Sequence, residues 1–222
     1  MSARRFEAIF WDNDGLLVDT EPLYFQSTRE VFEDIGLEYS YEWYVNQHLS
    51  KGVSSFDFAV QQGVLHEKIA ELREKRDLRF EELLKEGVTI VDGVHDVLKV
   101  LHKNCVMGVV TGSSRKNLDV MHEKTGLLEF FNFIITADDV KKVKPDLEAY
   151  IRAVQYSGKP KAHCLVLEDS VRGVKAAKDA GLTCFAVPDQ TTKTHDFSIA
   201  DKVLKNIREL PALVLPSEDE AH

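Results

Sequence analysis

The sequence lacks the features that mark redox, zinc-binding and membrane proteins. Its three cysteines, at positions 105, 164 and 184, are far apart and form no C-x-x-C pair, which favours buried strand thiols over a redox or metal site. Its eight histidines contain no H-E-x-x-H motif or other paired ligand spacing, so we expect no zinc site. No apolar run approaches the ~20 residues that cross a membrane, and residues 1–5 lack the apolar core of a signal peptide. We therefore expect a cytoplasmic protein without a membrane partner.

Positive charge is also scarce. The 222 residues include 28 basic and 37 acidic side chains, and the net charge is −9. This balance disfavours a nucleic-acid partner, and an anionic ligand would have to be drawn in by a locally positive site. The length suits one large domain, or a core with a small second domain.

A strand that ends in two carboxylates organises the chain. Phe6 to Trp11 is rich enough in aromatic and β-branched residues to predict a buried strand, which the turn at Gly15 ends. Asp12 and Asp14 are two residues apart and would begin on the same face, where they repel unless a cation lies near them. Such a pair suits Mg²⁺, and a carboxylate can attack phosphorus. The same residues are also ordinary turn formers, so the motif alone leaves a plain loop open.

A wholly helical stretch follows this strand. Pro22 fits a first helical turn, and Leu23, Ser27, Val31 and Ile35 recur at a four-residue step before Gly36. Further helices are predicted over 41–48, 54–64 and 66–85, with no strand between them. A helical insertion directly after the first strand predicts a separate lid. Its aromatic cluster is expected to be mainly core: Tyr39, Tyr41, Trp43 and Tyr44.

Beyond Gly87 strands and helices alternate. Strands are predicted at 106–110, 133–136, 165–167 and 183–187, and helices over the intervening segments. Ser170 is expected to begin one of these helices. The alternation predicts an α/β fold, a Rossmann-like parallel sheet with helices on both faces. Ligands of such sheets bind at the carboxyl ends of the strands.

Polar groups follow three of these strands. Thr111, Gly112 and Ser113 lead into a helix and offer hydroxyl and N–H donors, which suit either a phosphate or a helix N-cap. Lys144 precedes Pro145, which favours an extended backbone and starts the next helix, so its ammonium is either held by a defined turn or simply exposed.

Glu168 and Asp169 form the third group, after the strand at 165–167. They could cap the next helix, or they could complete an oxygen cage for Mg²⁺ together with Asp12 and Asp14.

These groups together resemble a known family. The stretch from Asp12 to Glu21 is similar to the first signature, DxDGxxxD[ST]E, of the haloacid dehalogenase superfamily, in the branch of small phosphatases and β-phosphoglucomutases. Thr111, Lys144-Pro145 and Glu168-Asp169 resemble its other three signatures in the same order. The resemblance covers Phe6 to Leu210. It implies an α/β core of residues 1–18 and 88–222, with a helical cap of residues 19–87 hinged near Val18 and Gly87.

The resemblance also implies roles for these residues. Asp12 would be the nucleophile and Asp14 the proton carrier, whose backbone carbonyl could also bind metal. Lys144 would neutralise the nucleophile and the phosphate, with Lys141 and Lys142 as weaker candidates. The implied phosphate-binding set is Thr111, Gly112, Ser113 and Lys144. The implied Mg²⁺ set is Asp12, Asp14 and Asp169, with Glu168 adjoining or ligating.

Two departures from the family pattern bear on the substrate. Ser55 stands where the β-phosphoglucomutase pattern has an arginine that grips a second phosphate, and Tyr24 stands where it has a histidine. A mutase must hold a bisphosphate at both ends, so the missing arginine favours simple hydrolysis. Asn13 and Trp11 also depart from the commoner residues around the nucleophile. No consequence of either departure follows from the sequence.

The sequence therefore predicts a Mg²⁺-dependent phosphatase of small phosphorylated metabolites, with sugar phosphates as the expected substrates and an aspartyl phosphate as the intermediate. We expect a monomer or weak dimer. The alternatives are a phosphohexomutase of the β-phosphoglucomutase type, a metabolite-binding protein on the same fold and, more distantly, a dehalogenase, which has no use for a magnesium cage.

Overall fold

The computed structural model describes residues 6–49 and 51–215. The parts of the predicted core domain at 1–5 and 216–222 lie outside the described residues, as does the expectation that residues 1–5 form no signal peptide. The described strands of the main sheet are β1 Ala8–Trp11, β4 Val106–Val110, β5 Phe133–Ile135, β6 Cys164–Glu168, β7 Thr183–Ala186 and β8 Lys202–Val203. Two short strands, β2 Val18–Asp19 and β3 Thr89–Ile90, pair antiparallel in a second sheet.

The described helices alternate with the strands after residue 90. They are α1 Glu21–Glu33, α2 Tyr41–Trp43 with a π-helical continuation Tyr44–Leu49, α3 Ser55–Gln61, α4 His66–Glu86, α5 Val94–Leu101, α6 Arg115–His122, α7 Glu148–Ser157, α8 Val171–Asp179 and α9 Leu210–Val214. Short 3-10 turns lie at Leu127–Phe130, Ala137–Asp139, Lys161–His163 and Ile207–Glu209. Within the described ranges, no helix combines the length and the apolar character needed to cross a membrane.

The main sheet is parallel throughout and has the order β5-β4-β1-β6-β7-β8. Because side chains alternate across a strand, Ile9 and Trp11 of β1 enter one hydrophobic cluster, and Ala8 and Phe10 enter another on the opposite face. Helices α5, α6 and α9 supply the first cluster, and α7 and α8 supply the second. Both faces are therefore covered, which is why β1 is apolar along its whole length. The predicted Rossmann-like α/β fold is confirmed.

The helical stretch from α1 to α4 has a hydrophobic cluster of its own, which comprises Val31, Phe32, Tyr39, Tyr44, Phe56, Ala59 and Leu72. Tyr39 and Tyr44 are buried, as expected of an aromatic core, whereas Tyr41 is 47% exposed. The β2–β3 pair lies where this stretch leaves and rejoins the sheet. The division into a core of 1–18 and 88–222 and a cap of 19–87 stays a prediction.

Several local predictions were wrong. Helix α1 ends at Glu33, so Ile35 lies beyond it and is 43% exposed. Pro145 does not start a helix, because α7 begins three residues later, at Glu148. The strand before Asp169 extends through Glu168, which is the last residue of β6. Ser170, in contrast, is the N-cap of α8, and its hydroxyl accepts a hydrogen bond from the Gly173 N–H. The three cysteines are buried, as expected.

Candidate active site

Asp12 leaves the carboxyl end of β1 at the centre of the sheet. Its N–H donates to the carbonyl of Leu167 over 3.0 Å, so the pairing with β6 continues one residue past the strand. The turn that follows requires glycine at position 15. Gly15 has a φ of +79°, and a Cβ there would lie 2.1 Å from Oδ2 of Asp169. The turn thus brings the backbone of the β1 loop against the end of β6.

Lys144 joins the ends of three strands. Its Nζ lies 2.9 Å from Oδ1 of Asp12, after β1, and 2.6 Å from Oε1 of Glu168, at the end of β6. It also donates to the carbonyl of Val110, at the end of β4, over 2.8 Å. Burial alone would lower the pKa of Lys144, but the Asp12 and Glu168 carboxylates outweigh it and raise that pKa. The ammonium therefore stays charged and offsets the acids around it.

Asp12, Glu168 and Asp169 form a buried acidic cluster, in which one carboxylate oxygen from each lies within 4.8 Å of the others. Burial and the neighbouring Glu168 raise the pKa of Asp12 to about 6. Burial, Asp12 and Glu168 raise the pKa of Asp169 well above its ordinary value. Oδ1 of Asp169 is buried without a hydrogen-bond partner among the described residues. An all-oxygen set with an unsatisfied buried acceptor fits a hard divalent cation such as Mg²⁺.

The chain itself holds both oxygens of Glu168. Oε1 accepts from Lys144 Nζ and from the hydroxyl of Tyr150, and Oε2 accepts from Ser170 Oγ over 3.0 Å. A Cβ on Gly173 would overlap this carboxylate at 1.9 Å, so α8 can pass it only with glycine there. Asp169 is free of such bonds at Oδ1. This contrast favours Asp12 and Asp169 as metal ligands, with Glu168 adjoining them.

Asp14 lies in a separate polar group. Its Oδ1 accepts from Thr20 Oγ1 over 2.8 Å, and its Oδ2 accepts from Thr111 Oγ1 over 3.0 Å and from Ser113 Oγ over 2.9 Å. The carboxylate of Asp14 does not belong to the acidic cluster found in the described ranges. The hydrogen bonds instead bring the first and second predicted motifs together. The N-cap of α6 is Ser114, so Thr111 and Ser113 are not the cap.

A cavity of about 930 Å³ lies over these groups. On the sheet side Asp12, Asp14, Gly112, Ser113, Lys144 and Asp169 line it. On the helical side its lining includes Glu21, Tyr24, Tyr44, His48 and Arg73. Thr111 and Glu168 are buried behind this lining, where they hydrogen-bond to the lining residues Asp14 and Lys144. The predicted site residues thus converge on one opening, which leaves room for a small molecule.

Sequence reasoning did not single out Glu21 or Tyr44 as part of the site. The Tyr44 hydroxyl donates to Oε2 of Glu21. Burial raises the pKa of Glu21 to about 7, against the lowering effect of the Tyr44 hydrogen bond. The signal in the sequence was present for Glu21, which is the last residue of the first motif. Tyr44 had only an aromatic cluster to mark it, and such clusters are usually core.

The two positions that depart from the family pattern differ in placement. Tyr24 lines the cavity and stacks on His48 with 5.7 Å between ring centroids. Ser55 is 2% exposed and accepts from the Tyr39 hydroxyl over 2.7 Å, inside the helical cluster. Arg73 of α4 lines the cavity instead and donates to Ser54 Oγ over 3.2 Å.

Comparison with known proteins agrees with this geometry. Residues 9–187 match the family described as haloacid dehalogenase-like hydrolase, and the chain belongs to that family. YhcW of Bacillus subtilis is 32% identical over 94% of this chain and 96% of its own. The phosphorylated carbohydrates phosphatase of Thermotoga maritima is 30% identical over 79% of this chain and 82% of its own. The crystal structure of CbbY from Rhodobacter sphaeroides in complex with phosphate has a TM-score of 0.78 at 27% identity, covering 92% of this chain and 96% of that one.

The predicted superfamily and the predicted enzyme class, a phosphoric monoester hydrolase, are therefore confirmed. The roles of individual site residues stay predictions.

Proposed function

We propose that this chain is a Mg²⁺-dependent phosphatase of small phosphorylated metabolites, in particular sugar phosphates, and that it acts through an aspartyl phosphate on Asp12. The observation that carries the proposal is the convergence on one cavity of Asp12 and Asp169, from two strand ends, and of Lys144, from the loop before α7. The phosphatase of phosphorylated carbohydrates among the relatives supports the substrate class.

Lys144 and the backbone hold Asp12 for attack. Its Oδ1 is fixed by Lys144 Nζ at 2.9 Å and by the Asn13 N–H at 2.8 Å. The carboxylate attacks phosphorus, and the bond from phosphorus to the leaving alcohol oxygen breaks. Lys144 lies beside the nucleophile, where its charge also offsets the charge on the phosphoryl oxygens. Asp12, Asp169 and the Asp14 carbonyl would hold Mg²⁺, which would supply further positive charge at those oxygens.

Asp14 carries the protons. It gives a proton to the departing alcohol and then takes one from the water that hydrolyses the aspartyl phosphate. Thr20, Thr111 and Ser113 hold its carboxylate through hydroxyl groups, so it is oriented without a counter-charge. Asp12 lies instead beside a lysine. This difference in surroundings lets one acid attack while the other exchanges protons.

The test is release of inorganic phosphate from a panel of sugar phosphates and other monoesters, with and without Mg²⁺. We expect activity that is lost with a chelator and restored by Mg²⁺. Asp12→Asn should reduce kcat by more than about 1,000-fold. Asp57→Asn, on the exposed side of α3, is the control and should leave kcat unchanged. Full activity in Asp12→Asn would rule out the mechanism.

The same panel separates hydrolysis from the mutase alternative. A phosphohexomutase would interconvert isomers when primed with a sugar bisphosphate, whereas a phosphatase releases phosphate without priming. The burial of Ser55 in the helical cluster, where the mutase pattern has an arginine, supports hydrolysis. A monomer or weak dimer without a nucleic-acid partner remains our expectation.

A further inference from the structure

The side chain between the two catalytic aspartates is itself part of a buried polar network. Asn13 is 0% exposed, and its Oδ1 lies 2.7 Å from Nε2 of His122, at the end of α6. Its Nδ2 donates to Sδ of Met121 over 3.2 Å. His122 is 6% exposed, and its Nδ1 lies 2.8 Å from the hydroxyl of Thr125. Apolar side chains at positions 13 and 122 could fill the same buried space without needing hydrogen bonds. The presence of a hydrogen-bonded polar pair there therefore needs an explanation.

The donors and acceptors of this network have one consistent arrangement. Oδ1 of Asn13 can only accept, so Nε2 of His122 must carry the proton. Nδ1 of the neutral ring then accepts from the Thr125 hydroxyl over 2.8 Å, in preference to the longer 3.5 Å approach of that hydroxyl to the His122 carbonyl. The hydroxyl oxygen itself accepts from the Leu127 N–H over 3.2 Å. Burial lowers the pKa of His122 to about 4, so the ring is neutral near pH 7. The network therefore fixes the imidazole, and the imidazole fixes the amide of Asn13.

The backbone of Asn13 connects this network to both aspartates. Its N–H donates to Oδ1 of Asp12 over 2.8 Å. Its carbonyl accepts from the N–H groups of Leu16, Leu17 and Val18, which closes the turn that carries Asp14. A rotation or shift of residue 13 would therefore displace the nucleophile and the proton carrier together.

We propose that Asn13 and His122 are a positioning pair that holds Asp12 and Asp14 in their relative geometry. The two side chains do not line the cavity, so the pair acts through the backbone of the β1 loop, and its catalytic effect rests on the proposed phosphatase function. A helix on the far side of the loop thereby contributes to a site that otherwise consists of strand ends.

Four variants and one control variant distinguish a positioning role from a role in core stability alone. Asn13→Leu and His122→Leu each leave one buried polar group without its partner, so both should lose stability. The double variant replaces both groups with apolar ones and should recover stability in denaturant unfolding. His122→Gln keeps an N–H donor at the reach of Nε2. His102→Leu, at the C-terminus of α5, is a control whose histidine lies 3.1 Å from the Leu98 carbonyl of its own helix and packs edge-on against Phe130.

Positioning predicts that activity does not return with stability. In the double variant we expect kcat to stay about 10- to 100-fold below wild type, because small displacements of reacting groups cost about this much. KM should change little, and His122→Gln should recover most of kcat. If the double variant regains both stability and kcat, the pair is only core and the proposal is overturned.

A second measurement does not depend on activity. Amide hydrogen exchange at Leu17 and Val18 reports the turn that the Asn13 carbonyl closes, and exchange at Phe10 reports the strand. We expect at least about 10-fold faster exchange at Leu17 and Val18 in the double variant, with Phe10 unchanged. Unchanged exchange at the turn would overturn the proposal. Failure of the proposed function would instead show as a wild-type protein without phosphatase activity, whatever the exchange result.

Discussion

Lys144 carries the positive charge against which the buried acids of the site are balanced. Replacing it with Met keeps the length of the side chain and removes the ammonium, which leaves Asp12 and Glu168 buried without their cation. We expect kcat to fall by at least about 100-fold, as on loss of one charge-stabilising donor. The free energy of unfolding at pH 8 should fall by about 3–5 kcal/mol, the cost of breaking a buried ion pair.

The matched control for this prediction is Lys142→Met. Lys142 is in the same loop, but its side chain is 77% exposed and its ion pair with Asp146 is 4.0 Å long. Exposed pairs of this kind contribute little to stability, so kcat and the unfolding midpoint should match wild type. Phosphate release and urea unfolding measure both effects. Equal losses in the two variants would contradict a role of Lys144 in the site.

Glu21 gives the site a pH dependence. Its pKa is raised to about 7, first by burial and also by the neighbouring Asp14. The side chain is therefore neutral below pH 7 and becomes an anion in the cavity above it. A phosphate monoester loses its last proton near pH 6, so the charge that Glu21 gains above pH 7 adds to the repulsion of a substrate that is already a dianion. We expect KM to rise between pH 7 and 8.5, and the rise to disappear in Glu21→Gln. A rise of the same size in the variant would refute the assignment.

The residues of the site differ in how far the sequence could predict them. Asp12, Lys144 and Asp169 could be proposed from the sequence, because each belongs to a short motif, and the motifs follow one another in a fixed order. His122 could not, because it is 109 positions from Asn13 and only the packing of α6 against the β1 loop brings the two together. The same holds for Tyr150, because its hydrogen bond to Glu168 depends on how α7 packs on the sheet.

The turn after β1 is the element that tolerates least change. Gly15 combines a φ of +79° with a space that a Cβ cannot enter without meeting Asp169 Oδ2 at 2.1 Å. We expect Gly15→Ala to displace the β1 loop from Asp169, to reduce kcat by at least about 10-fold and to lower the free energy of unfolding by about 1–3 kcal/mol.

Gly36, after α1, separates the two causes of this effect. Its φ is +77°, nearly the same as that of Gly15, but a Cβ there would meet nothing within 4 Å. Gly36→Ala should therefore show the backbone cost alone, about 1 kcal/mol, with kcat unchanged. The measurements are denaturant unfolding and steady-state kinetics. If Gly15→Ala behaved like Gly36→Ala, the close approach to Asp169 would not matter for the reaction.

The strands that are covered on both faces of the sheet could be predicted from the sequence, whereas the exposed two-residue strand β8 could not. Strands β4, β6 and β7 are compact apolar runs, because the sheet buries both of their faces. Strand β8 has only two residues, Lys202 and Val203, and both are exposed, so neither length nor hydrophobicity marks it. Its neighbour β7 determines it through pairing, which sequence propensity does not describe. Strands β2 and β3 also have only two residues each, so they are too short for hydrophobicity to mark them, although Val18 of β2 is buried.

At the scale of the whole molecule, the sheet and the helical stretch contribute different walls to one cavity. The strand ends of the sheet supply the acids, and the loop between β5 and α7 supplies Lys144. The helical stretch supplies aromatic side chains, with Tyr24 stacked on His48 and packed edge-on against Phe80 at 5.4 Å. This arrangement predicts that the sheet determines the chemistry of phosphate transfer and that the helices determine which leaving group is accepted.

Tyr24→Leu tests this division, because it keeps apolar volume and removes the ring. For the best sugar phosphate of the panel we expect kcat/KM to fall by about 10-fold or more, which corresponds to about 1.4 kcal/mol. For acetyl phosphate, whose leaving group is too small to reach Tyr24, we expect less than about a threefold change, a difference of well under 1 kcal/mol.

Two comparisons make the result decisive. Tyr41→Leu, in the same aromatic group but 47% exposed and outside the cavity lining, should affect neither substrate. Lys144→Met should reduce kcat/KM alike for both substrates, because Lys144 acts on the phosphoryl group that the two substrates share. Tyr24 packs among the aromatic side chains of the helical stretch, so a loss confined to the sugar phosphate in Tyr24→Leu would support a role in leaving-group binding. An equal loss on both substrates would place Tyr24 with the catalytic groups and contradict the division.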